Sequence, residues 1–76
     1  MVRITELYII SIDKGEESWA IEGEVTFEED LSSNFEVTYN IEDDELEDLT
    51  LEINPGKYDK HEFKSMVLKA SREYED

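Results

Sequence analysis

The sequence predicts an α+β fold, a four-stranded antiparallel β-meander with one C-terminal α-helix packed on one face. Three observations carry this. Apolar residues recur with period two from Val2 to Ile53 in blocks broken by turn-forming residues, the period changes to about 3.6 after Asp59, and 76 residues leave room for one core. A single small domain, residues 1–76, is expected, with the sheet over about 2–53 and the helix over about 60–74.

The first strand spans Val2 to Ile12, dense in β-branched and aromatic types. Val2, Ile4, Tyr8, Ile10 and Ile12 fall on one parity and Leu7 and Ile9 on the other, so a flat strand would be apolar on both faces. Either a bulge turns one of the pair inward, or Leu7 and Ile9 are covered by a second copy in a weak homodimer; the chain is otherwise a monomer. Asp13-Lys14-Gly15-Glu16-Glu17 supplies a tight reversal. In the second strand Trp19, Ile21, Gly23, Val25 and Phe27 alternate with Ala20, Glu22, Glu24, Thr26 and Glu28. Gly23 in mid-strand implies a close approach, for which the helix residue Phe63 is the candidate.

A polar connection over residues 29–33 leads to the third strand, with Phe35, Val37, Tyr39 and Ile41 inward and Asn34, Glu36, Thr38 and Asn40 outward. The fourth is expected over about residues 48–53, through Leu49, Leu51 and Ile53. For the preceding run Glu42–Asp48, six acids in seven positions, a loop competes with one helical turn over 43–48 capped by Asp43. Asn54-Pro55-Gly56 closes the strand in a type II turn, with positive φ at the glycine. Phe63, Met66, Val67, Ala70 and Tyr74 then form the stripe of a helix that Asp59 and Glu62 start in the manner of a capping box. The expected core is Trp19, Ile21, Val25, Phe27, Phe35, Val37, Tyr39, Leu51, Ile53, Phe63, Met66 and Val67.

Charge is the strongest compositional signal. Twenty-two Asp and Glu oppose 7 Lys and Arg, a formal net charge of −15, and Cys is absent. No disulfide framework or thiolate chemistry is available. Residues 1–56 hold 17 acids and 2 bases, whereas residues 57–76 hold 5 of each, so the whole excess belongs to the sheet half. Nucleic acid and anionic lipid are repelled by such a chain and are excluded as partners. Without an apolar run of spanning length or a signal-peptide pattern, the chain is expected to be soluble and cytoplasmic.

No motif assigns a reaction. Neither a Ser-His-Asp nor a Gly-rich phosphate-binding pattern occurs, and His61 falls in the first helical turn, where capping or exposure is the commoner role. The expectation is a non-catalytic protein without a cofactor. If the parity holds, Glu22, Glu24, Glu28, Glu36, Asp48 and Glu52 share the sheet face turned away from the helix. That face is a docking surface for a basic protein, or a solvated surface without a specific ligand. An alternative is a weakly bound divalent cation in the acidic loops 13–17 and 42–48, with Asp13, Glu16, Asp43, Asp44, Glu45 and Glu47 as ligands.

Overall fold

The computed structural model describes residues 1–74. Strands β1 (Ile4–Lys14), β2 (Ser18–Phe27), β3 (Leu31–Asn40) and β4 (Glu45–Leu51) form one antiparallel sheet in the order β1-β2-β3-β4, and helix α1 (Lys60–Glu73) follows. The α+β meander predicted from hydrophobic period is the fold.

Strands β2 and β3 pair without interruption from Ser18 opposite Asn40 to Phe27 opposite Leu31, and Ile21, Val25, Phe27, Phe35, Val37 and Tyr39 are buried, whereas Ile41, expected inward, lies exposed in the turn that follows β3. β1 behaves differently. Its register against β2 slips between Ile4 and Glu6 and again between Ile9 and Ser11, which makes Thr5 and Ile10 extra residues. Each bulge switches parity, so Ile4, Leu7, Ile9 and Ile12 all pack on the helix side while Tyr8 and Ile10 stay exposed. Of the two alternatives for Leu7 and Ile9, the bulge is the one found, and it turns both inward rather than one; a dimer patch built on them is corrected, because both pack against the core.

β4 begins earlier than the sequence indicates. Residues 45–48 are strand rather than loop or helix, and the reversal lies in residues 41–44, where Asp44 has φ of 54°. The Asn40 side chain organises it, accepting from the Asp43 N–H at 3.2 Å and donating to Glu47 at 2.9 Å. Further along, Asp48 and Leu49 stand opposite Val37 alone, with Asp48 at φ 53°. That bulge brings both Leu46 and Leu49 to the helix side. The 29–33 connection is also shorter than expected. Only Glu28–Asp30 leave the sheet, with Glu29 and Asp30 in the left-handed region, and Ser33 lies buried in β3. Its hydroxyl accepts the Glu52 and Ile53 N–H groups at 3.0 and 3.3 Å, tying down the chain as it leaves β4.

Gly56 adopts φ of 90°, as the Pro55-Gly56 pair predicts, and its N–H reaches the Asn54 side chain at 3.0 Å. The chain then crosses to β1, where Val2 bridges Tyr58 in parallel. Asp59 caps α1, accepting the His61 and Glu62 N–H groups at 2.9 and 3.2 Å. Only half of the capping box forms. Glu62 turns instead to β1, accepting from the Ile4 N–H at 3.2 Å and pairing with Arg3 at 3.1 Å. At the far end the Tyr74 hydroxyl donates to the Ile10 carbonyl, so α1 lies over β1.

The core is Ile4, Ile21, Val25, Phe27, Phe35, Val37, Tyr39, Phe63, Val67 and Leu68. Trp19, Leu51 and Met66 are half-buried at its margin, Ile53, expected in the core, lies past the end of β4 and is only half-buried, and Ile4 and Leu68 are additions that the sequence pattern did not single out. Phe35 and Phe63 meet edge-on at 5.3 Å, and Tyr58 adds a third ring. Gly23 faces Phe35 rather than the predicted Phe63. A Cβ there meets the Phe35 ring at 2.9 Å and the Tyr8 carbonyl oxygen closer still.

Ser71 is fully buried in α1, and among the described residues its Oγ has no hydrogen-bond partner. An unsatisfied buried hydroxyl costs about 1–3 kcal/mol. Ser71→Ala is accordingly expected to raise stability by about 1 kcal/mol, read as a higher urea midpoint at unchanged slope; a lower midpoint overturns this account.

Candidate functional site

The sheet face turned away from α1 is built in rows, because antiparallel register sets residues of adjacent strands side by side about 4.5–5.5 Å apart at Cβ. One row runs Tyr8, Glu24, Asn34, with Glu52 reached by the Asn34 amide at 3.5 Å. The next runs Ser11, Glu22, Glu36, Thr50, and a third Asp13, Ala20, Thr38, Glu47. Glu6 and Thr26 begin a fourth at the β1 edge, continued by Ser32, whose hydroxyl bonds that of Thr26 at 3.0 Å. Every row carries at least one carboxylate. The strands hold a single base, Lys14, and its ammonium lies 4.9 Å above the Trp19 ring, whose neighbour at 5.3 Å is the core residue Tyr39. The open face therefore carries acids, hydroxyls and amides without a countercharge.

Glu22 and Glu36 stand directly opposite one another, a like-charge cross-strand pair that costs stability. Between them and the first hairpin the small side chain of Ala20 leaves a shallow depression of about 340 Å³, walled by Asp13, Glu22, Glu36, Thr38 and Asp48. Tyr8 and Ile10 form an apolar margin at the β1 edge, 45% and 48% exposed. Partial desolvation and the neighbouring carboxylates of Glu24 and Glu6 hold the Tyr8 phenol above its ordinary range.

Of the six residues predicted for this surface, Glu22, Glu24, Glu36, Asp48 and Glu52 lie on it. Glu28 does not. It belongs to the β2–β3 connection at the rim, where its carboxylate accepts from the Arg3 N–H at 2.6 Å. Glu6, Asp13 and Glu47 belong to the face and were missed, because their parity depends on the bulges of β1 and the early start of β4.

The six carboxylates considered for a cation do not gather. Among the described residues no three of His, Asp and Glu stand close enough to hold a metal ion together. Asp43 and Glu47 are taken up by the Asn40 amide, at 3.4 and 2.9 Å. Asp44 accepts a 2.5 Å hydrogen bond from the Tyr39 hydroxyl and pairs with Lys64 at 3.7 Å, while the Lys64 ammonium also reaches the Asp44 carbonyl. The acidic rim is thus tied to the core and to α1. His61 is exposed in the first helical turn.

The Tyr39 hydrogen bond and the Lys64 charge hold the Asp44 carboxyl below its usual range, and the Asp44 bond and burial hold the Tyr39 phenol above its ordinary range. A depressed carboxyl contributes stability above its unfolded pKa that is lost as pH falls through the folded one. A raised phenol contributes stability below its unfolded pKa, lost as pH rises through the folded one. The pair therefore supports the fold across the whole neutral window. Carbon-detected NMR titration is expected to show Asp44 ionising below the ordinary carboxylate range, with Tyr39→Phe moving it upward; no movement refutes the coupling.

No helix among the described residues is long and apolar enough to cross a membrane. Comparison with known proteins adds no relative: no family model, curated protein or solved structure matches the chain.

Proposed function

We propose that the protein is a non-catalytic, acidic interaction module that docks a basic protein through the open face of its sheet. The observation that supports this is the sorting of charge: rows of carboxylates lie on one face with no base among them, while six of the seven Lys and Arg lie outside the strands. A surface meant only to be solvated has no need of such sorting, since interspersed signs keep a domain soluble at lower cost in self-repulsion. The fitting partner presents Arg or Lys along a ridge or groove, with an apolar contact to meet Tyr8 and Ile10. Such a complex forms fast and weakens as salt screens it over about 8–10 Å.

The test is recovery from lysate at low salt on the immobilised protein. The reading requires a defined basic protein that elutes as salt rises, and its loss when Glu22, Glu24 and Glu36 are each replaced by Lys. Unchanged recovery by that variant, or no basic protein at all, returns the face to simple solvation.

A further inference from the structure

On the other side of the molecule, α1 is seated over β1 and does not cover β4. A half-open groove of about 390 Å³ remains between them. Its floor is apolar: Leu46 and Leu49 come from β4, brought to this side by the bulge at Asp48, Phe63 from α1 and Tyr58 from the crossing segment. Its helix-side rim carries two cations, Lys60 and Lys64, with the His61 imidazole beside them. Lys64 is paired with Asp44, but Lys60 makes no ion pair among the described residues although acids outnumber bases threefold in the chain. The opposite rim carries one acid, Glu45.

We propose that this groove binds a small apolar-tailed carboxylate, its tail over Leu46 and Leu49 and its charge at the Lys60 ammonium. The volume sits at the small end of ligand sites, which are apolar clefts with a few placed polar groups. Two features select this chemistry. A cation or neutral amphiphile lacks the attraction of the Lys60 ammonium, and Glu45 across the groove confines a negative end to the helix side. The carboxylates of the open face do not oppose entry strongly, because they point away across the sheet and are screened beyond about 8 Å at physiological ionic strength. Tyr58, whose phenol is pushed up by burial, stays neutral in the floor and adds no repulsion.

Octanoate below its aggregation limit is the probe, followed by NMR on the intact chain. Saturable shifts confined to the methyls of Leu46 and Leu49 and the amides of residues 58–64 are expected. Lys60→Glu, an exposed change that leaves the fold intact, is expected to weaken binding about tenfold. Octanol and octylamine at equal concentration are expected to shift these signals at least tenfold less. Equal shifts from all three ligands, shifts that fail to saturate, or unchanged affinity in Lys60→Glu each overturn the proposal.

Discussion

Gly23→Ala is expected to lower the unfolding free energy by about 3 kcal/mol, measured by urea denaturation through the single tryptophan, Trp19. Glycine in a strand interior normally costs stability for want of a side chain to pack. Here the reverse holds. A methyl group at this position meets the Phe35 ring at 2.9 Å and, closer still, the backbone oxygen of Tyr8, next to the bulge at Ile10. The ring is itself fixed edge-on against Phe63 and is 1% exposed, so it has no free volume to move into. Phe35→Leu in the same chain should relieve only the ring contact and so recover part of the loss; full recovery shows that the Tyr8 carbonyl gives way, and a loss under 1 kcal/mol refutes the close approach altogether. Gly23→Val adds branches to the same two contacts. It is expected to leave the chain largely unfolded, because a domain of this size has roughly 4–11 kcal/mol in reserve.

The same glycine shows how far the sequence could be read. A mid-strand glycine signals crowding, but which neighbour crowds it depends on register, and register in β1 is set by two bulges. Bulges carry no residue signature here: Thr5 and Ile10 are ordinary strand formers, and only pairing against β2 makes them extra. Where pairing runs unbroken, as between β2 and β3, alternation alone placed Glu22, Glu24 and Glu36 on the open face. Where it breaks, alternation left Leu7 and Ile9 undecided between a bulge and a dimer patch and grouped the exposed Tyr8 with the buried Ile4. The start of β4 failed for another reason. Acids disfavour strands on propensity, yet Asn40 and Tyr39 of β3 and Lys64 of α1 hold Asp43, Asp44 and Glu47 in place by contacts from two separate elements. The groove beside α1 was invisible, because hydrophobic period gives a helix its apolar stripe but not its lateral position over the sheet.

Replacing Glu22, Glu24 and Glu36 with Lys is expected to weaken binding of a basic protein at least a hundredfold at low salt, since each reversal removes an attraction and adds a repulsion. Each also removes one negative and adds one positive charge, moving the formal charge from −15 to −9. The single change Glu36→Lys separates function from fold. It turns the like-charge pair with Glu22 into an attractive one, so stability is expected to rise by about 0.5–1 kcal/mol while affinity falls. Added salt should raise the urea midpoint of the parent chain more than that of this variant, because there is more repulsion to screen. Opposite signs are the decisive outcome: side chains that burden the fold yet hold a partner are kept for the partner. A variant that gains stability and loses no affinity leaves the open face without a docking role.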